Sequence, residues 1–152
     1  MVNLPATFEK MALRAALKDN DGAGRFAEGL YELLYGNGHL KPRFESFVQV
    51  LGDLPRKGTS PVKWPILTLF PFLAQPKMHL FLKPEATKQA ARNMGFVLNY
   101  RPGPNWFTYS RLLEFARQLK EDLSDWRPRD MIDIHSFIWV TAGEGYPDAP
   151  LE

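Results

Sequence analysis

Apolar positions recur with the period of a helix through the first third of the chain. They predict three helices, over about 5–18, 25–35 and 42–51. The stretch DNDGAG separates the first two helices. The GNG at 36–38 ends the second, because glycine and asparagine tolerate the left-handed conformation of a helix cap.

The pattern changes after residue 62. KWPILTLFPFLAQP is almost continuously apolar, and Pro71 would interrupt a helix, so an irregular or kinked buried segment is predicted there. KMHLFLKP and FVLNYR resemble strands, with alternating apolar side chains in the first, and a helix opening at Pro84 lies between them. Two strands near 78–83 and 96–101 would form a small sheet, with a right-handed crossover if they are parallel.

Two further helices are predicted in the C-terminal half, one over 107–126 and one over 129–140. FTYSRLLEFARQLKEDLSDW has the strongest helical pattern, and Thr108 or Ser110 can cap it. The complete prediction is a mainly helical α+β fold in a single domain. The domain covers 1–145, with a three-helix part at 5–53 and a mixed part at 62–140, and 146–152 form a flexible tail.

Composition narrows the class of protein. Of 152 residues, 45% are apolar and 13% are aromatic, which is too hydrophobic for a disordered chain. There are no cysteines, which excludes disulfides and thiol catalysis and fits a reducing compartment. The first 20 residues lack the apolar core of a signal peptide, and no stretch reaches the roughly 20 apolar residues of a membrane span. We expect a cytoplasmic protein without a membrane partner.

The small net charge of +2 hides a strong asymmetry along the chain. Residues 54–120 contain eleven Lys and Arg against only Glu85 and Glu114, whereas residues 121–152 contain two Arg against eight acids. Such polarisation creates a strong local field even when the total charge is small. The acidic end of one chain could therefore meet the basic centre of another. Salt-sensitive self-association is one hypothesis for the function.

The stretch RDMIDIHSFIWV, 129–140, concentrates ionisable groups before an apolar run. Asp130 occupies the position of a helix N-cap, and Asp133 lies three residues on, where a carboxylate can reach back to the cap. This structural interpretation explains both acids without any chemistry.

A metal-dependent hydrolase using Asp130, Asp133 and His135 is the alternative for this stretch. On a helix, however, His135 is rotated by about 200° from Asp133, so the two side chains diverge. A further ligand would have to come from His39 or His79. The chain has no G-x-S-x-G, G-x-G-x-x-G or G-x-x-x-x-G-K-[ST] motif. We assign no catalytic residue, no metal ligand and no cofactor.

LNYRPGPNWFTYSR, 98–111, interleaves aromatic residues with arginines inside the basic block. Aromatic side chains beside cations can stack bases while the cations hold phosphates. We predict a non-enzymatic module for nucleic acid, whose binding residues are Lys83, Lys88, Arg92, Tyr100, Arg101, Trp106 and Arg111. In the competing interpretation, Trp106 and Tyr109 cover the end of the core and the cations are solvated.

Three blocks together resemble a bacterial protein family of unknown function: WPILTLFPFLAQPKMHLFLKP, GFVLNYRPGPNWFTY and RDMIDIHSFIWV. The resemblance covers about 62–140 and leaves out the N-terminal helices. It implies a bacterial, cytoplasmic origin and transfers no catalytic residue.

Overall fold

The computed structural model describes residues 5–18, 20–56 and 58–142. Within these ranges the chain forms seven α-helices and one short 3₁₀ helix, and no β-strand. The helices are α1 Thr7–Ala16, α2 Asn20–Tyr35, α3 Leu40–Asp53, α4 Trp64–Ala74, α5 Pro84–Asn93, α6 Trp106–Asp122 and α7 Met131–Thr141, and the 3₁₀ helix is Ser124–Trp126. None of the described helices combines the length and the apolarity needed to cross a membrane. The predicted tail, 146–152, lies outside the described residues.

The predicted α+β fold is therefore wrong, and the first predicted strand shows why. Met78 lies in a turn and 79–83 form no regular secondary structure; from His79 to Leu82 every side chain is buried, so the segment runs through the core between helices. Its backbone is held by other groups: the Leu82 N–H donates to Thr68 Oγ1 (3.0 Å). An alternating apolar pattern is typical of a strand, but a connection that crosses the core between helices also buries its side chains on opposite sides.

The second predicted strand, 96–101, is interrupted by its own backbone. Asn99 has φ of +51°, in the left-handed region, which reverses the chain direction and prevents a continuous strand. The Phe96 N–H donates to the Ala91 carbonyl, and the Arg101 N–H donates to Thr108 Oγ1. These bonds occupy groups that would otherwise pair with a neighbouring strand.

The three N-terminal helices are confirmed, although α2 begins earlier than the sequence predicts. Its first turns include Gly22, which is buried, and packing there outweighs the low helix propensity of glycine. The α2–α3 turn needs Gly36, because a Cβ at that position would lie 2.4 Å from the Glu32 carbonyl oxygen. Arg43 Nη1 donates to the Leu33 carbonyl (2.8 Å) and so satisfies the C-terminal end of α2.

The apolar stretch at 64–74 is a continuous helix, α4, even though it contains Pro71. A proline inside a helix removes one backbone hydrogen bond and is disfavoured in isolation. Here Trp64, Ile66, Leu67 and Phe72 are at most 3% exposed, and α4 contacts α1, α2 and α3. Burial on nearly all sides therefore determines the conformation of this segment.

The C-terminal helices complete one continuous core, which extends from Ala16 in α1 to Ile138 in α7. Helix α7 packs against α5 and α6, and α6 also contacts α3. Asn105, not Thr108 or Ser110, caps α6, since its side chain accepts from the Thr108 N–H (2.8 Å). The α6 cap fixes the loop that precedes the helix, which carries two of the seven predicted binding residues, Tyr100 and Arg101.

Candidate functional site

The loop between α5 and α6, residues 94–105, is held by side-chain hydrogen bonds. The Thr108 hydroxyl donates to the Asn99 carbonyl (3.3 Å) and accepts from the Arg101 N–H (3.1 Å). Asn105 Nδ2 donates to the Gly103 carbonyl (2.7 Å). Because Thr108 is fully buried at the start of α6, the loop is anchored to a rigid helix. Its exposed side chains are therefore positioned before any partner binds.

Arg101 is the best-placed cation of this loop. Its carbonyl accepts from the indole N–H of the buried Trp64 (3.0 Å), so its backbone is fixed from both sides. Its exposed guanidinium lies over the ring of Phe107, 5.1 Å from the centroid. Phe107 is 46% exposed. An arginine and an accessible aromatic ring are thus held together at the surface.

Arg111 has a largely structural role. Its Nε and Nη2 atoms donate to the Val97 carbonyl at 3.2 and 2.8 Å, and its Nη1 is paired with Glu114. The guanidinium also covers the ring of Phe96, 4.6 Å from the centroid. Arg111 therefore ties the loop to α6 and adds positive charge next to Val97, which is 64% exposed.

Lys88 approaches the same loop from α5. Its Nζ lies 2.7 Å from Glu85 and 5.0 Å from the ring centroid of Tyr100. Partial burial raises the pKa of Tyr100, with Lys88 opposing and Glu85 reinforcing the shift, so the phenol is neutral at pH 7. We call these residues the loop surface: Lys88, Phe96, Val97, Tyr100, Arg101, Phe107 and Arg111.

Three of the predicted binding residues lie outside the loop surface. Arg92 is one turn after Lys88 on the exposed side of α5, where it donates to Gln89 Oε1 (2.9 Å). Lys83 is directed towards α7, with its Nζ 3.9 Å from the centroid of a Trp139 ring. Trp106 packs its ring against Phe44, 5.6 Å between centroids, at the edge of the core.

Phe107 is the residue that the sequence did not single out. The predicted binding residues include the aromatic residues Tyr100 and Trp106, but Phe107 has the most exposed of the three rings and lies beside a cation. Trp106 and Phe107 are adjacent at the start of a helix, so they point in directions about 100° apart. Only the placement of α6 against α3 decides which of them faces the core.

In the stretch 129–140, Asp130 caps α7 as the sequence predicts, but Asp133 does not reach back to the backbone N–H of this cap residue. Asp130 accepts from the Ile132 N–H (2.9 Å) at the start of α7. Asp133 accepts from the backbone and the guanidinium of Arg129, which lowers the pKa of Asp133. Two acids that could take part in self-association are thus engaged within their own chain.

His135 lies on another side of α7, buried between Phe72 and Phe81, with ring centroids 5.5 and 5.3 Å away. Burial, aided by the positive charge of Lys83, lowers the pKa of His135 to about 4. Across the described ranges, no group of three His, Asp or Glu side chains is arranged to hold a metal ion. The geometry does not bring Asp130, Asp133 and His135 together as a catalytic set.

No family model, no curated protein and no solved structure matches this chain. The fold and the loop surface must therefore be interpreted from their own chemistry.

Proposed function

We propose that the protein is a non-enzymatic module that binds nucleic acid through the loop surface. The observation that carries the proposal is the exposed Arg101–Phe107 pair, held on a loop that is anchored at Trp64 and Thr108. A cation beside an accessible ring offers both interactions that a nucleotide needs: attraction for the phosphate and a stacking surface for the base.

Charge around this pair favours an anionic partner. Residues 83–111 contain five Lys and Arg and a single acid, Glu85. Lys88 and Arg92 follow one face of α5, and the first turn of α6 adds the positive end of its helix dipole beside Phe107. Arg111 contributes mainly field, because its donors are already engaged. Phosphates would therefore contact Lys88 and Arg101 of the loop surface directly, and Arg92 one turn further along α5.

The exposed apolar atoms favour single strands over duplexes. Phe107 can stack only on a base that is free of its own stacking partners, which a duplex does not offer, and Val97 can make apolar contact with the same base. Met94, at the end of α5, is also 42% exposed and extends the apolar area. A single-stranded oligonucleotide would cover both the cations and these apolar groups.

Fluorescence anisotropy with labelled single-stranded and duplex oligonucleotides of mixed sequence tests the proposal. Binding is expected at low salt, tighter for the single strand, and it should weaken steeply as salt rises because bound counterions are released. Absence of binding at low salt, or binding that is unchanged at high salt, would show that the proposal is wrong.

The variant Phe107→Ala separates stacking from charge. It should weaken single-strand binding by about tenfold or more, since base–aromatic stacking is worth about 1–3 kcal/mol, while the salt dependence stays the same. Tyr31→Ala is the matched control, because Tyr31 on α2 is 60% exposed and lies outside the loop surface. Equal effects of the two variants would remove Phe107 from the interface.

A further inference from the structure

A groove of about 350 Å³ lies between α1 and α4, distant in sequence from the loop surface. Its walls are apolar and come from both helices: Leu13 and Leu17 on one side, Leu69 and Phe70 on the other, with Ile66 at the base. The volume is at the lower end of the range of small-molecule sites in proteins.

Two cations, Lys10 and Arg14, line the same groove from α1. They are four residues apart, so they lie on one side of the helix, and both are exposed. Among the described residues neither of them forms an ion pair. Their charges are therefore available to a ligand that enters the groove.

Glu9 is the one acid among the residues that line this groove. It is 8% exposed, and its Oε2 accepts from the Ala6 N–H (2.7 Å) at the positive end of α1. The carboxylate is thus engaged by the start of its own helix. The charge that faces an incoming ligand is positive.

We infer that this groove is a binding site for an amphipathic carboxylate, a molecule with an unbranched hydrocarbon chain and a single anionic head. The chain would lie along Leu13, Leu17, Leu69 and Phe70, where it would be removed from water. The head would remain at the rim, between Lys10 and Arg14. Charge complementarity selects an anion over a neutral or cationic amphiphile, and the groove is independent of the loop surface.

Isothermal titration calorimetry with dodecanoate, on the full chain, tests the site. Decanoate, which is shorter by two methylenes, should bind roughly fifteenfold more weakly, since each buried methylene contributes about fourfold in affinity. Dodecyltrimethylammonium has the same chain and the opposite charge, and it should bind at least tenfold more weakly than dodecanoate. Equal affinity for the two head groups would overturn the proposal.

Substitutions locate the ligand. Lys10→Gln and Arg14→Gln should each weaken dodecanoate several-fold, and the double variant should remove the preference over dodecyltrimethylammonium. Lys18→Gln is the matched control, since Lys18 is exposed on the same chain segment without lining the groove. If Lys18→Gln weakens binding as much as Arg14→Gln does, the ligand senses net charge only and the site is refuted.

Methyl NMR gives a readout that does not depend on charge. Dodecanoate should shift the methyl signals of Leu13 and Leu69 and leave those of Leu112, in the core, unchanged. Leu13→Trp should block the groove and abolish binding; if that variant fails to fold, the charge variants and the methyl shifts still decide the question. A concentration-dependent dimer that Leu13→Trp dissociates would overturn the proposal, because a second copy of the chain would then occupy the groove.

Discussion

Nδ1 of His79 lies 2.7 Å from the hydroxyl oxygen of Tyr109, and each residue is only 1% exposed. Among the described residues, the other ring nitrogen of His79, Nε2, is buried without a partner, so Tyr109 supplies the hydrogen bond of this imidazole. The Tyr109 ring stacks on Phe44, with centroids 4.5 Å apart. This pair connects the buried segment 79–83 to α6 and makes the segment part of the core.

Removing the hydroxyl should therefore destabilise the protein. Tyr109→Phe leaves Nδ1 of His79 buried without a partner, at a cost of about 1–3 kcal/mol in the free energy of unfolding. Urea denaturation followed by circular dichroism measures the change. Tyr31→Phe is the control, as Tyr31 is exposed on α2. Equal stability of the two variants would show that the buried bond contributes nothing.

Stability should decrease in mild acid because two histidines are buried as neutral rings. Burial, with the charge of Arg43, lowers the pKa of His79 to about 4, and burial with Lys83 does the same for His135. The unfolded chain binds protons at both residues below about pH 6.5, whereas the folded chain resists until about pH 4. The free energy of unfolding should fall within this window, by about 3 kcal/mol for each residue at most.

Urea denaturation at several pH values across that window measures the effect. His135→Leu should remove about half of the slope, since leucine fills the site between Phe72 and Phe81 without a proton to bind. Ile132→Leu, an exposed substitution on the same helix that removes no titratable group, should leave the slope unchanged. A wild-type protein equally stable at both ends of the window would contradict the prediction.

The hydroxyl of Thr68 joins α4 to the segment 79–83. Thr68 Oγ1 donates to the Trp64 carbonyl (2.7 Å) and accepts from the Leu82 N–H (3.0 Å), in a site that is 1% exposed. Thr68→Val keeps the shape but leaves the Leu82 N–H unsatisfied, so it should cost about 1–3 kcal/mol. Thr68→Ser retains the hydroxyl and should cost less. The opposite order in thermal denaturation would show that the methyl group matters more than the bond.

The cap of α7 gives a prediction on a smaller scale. Asp130→Ala removes the acceptor for the Ile132 N–H and should destabilise the protein by about 1 kcal/mol. Asp130→Asn keeps an acceptor oxygen and should stay close to the wild type. If the alanine and asparagine variants melt together, the side chain of Asp130 does not act as a cap.

The loop surface makes a quantitative prediction about salt. Arg101→Gln should reduce the slope of log affinity against log salt by about one, because one phosphate contact is lost. Lys41→Gln should not change the slope, since Lys41 lies on α3 beside Glu45 and outside the loop surface. An unchanged slope in Arg101→Gln would place the phosphates elsewhere.

Local patterns predict most of the helices because amphipathic periodicity and capping act over a few residues. The start of α7 at Asp130 and the start of α5 at Pro84 follow from such signals. The two predicted strands fail for a different reason. An extended conformation is a local property, whereas pairing requires a partner, and here Thr68 and Thr108 supply the hydrogen bonds instead.

The candidate site shows the same division. The sequence places cations and aromatic residues within 83–111, and the structure brings Lys88 beside Tyr100 and Arg101 beside Phe107. The sequence could not decide which of Trp106 and Phe107 would be exposed. That choice depends on how α6 packs against Phe44, which is more than 60 residues away in sequence.

By itself, the sequence determined most of the helical segments, the cap of α7 at Asp130 and the concentration of positive charge, since each depends on neighbouring residues. Only the tertiary structure decided that 78–83 would be buried without a sheet, that Pro71 would sit inside a helix, and that His79 and His135 would become core residues. In each case burial between helices from distant parts of the chain outweighs the local preference. The free energy of packing apolar surface exceeds the small differences between local conformations.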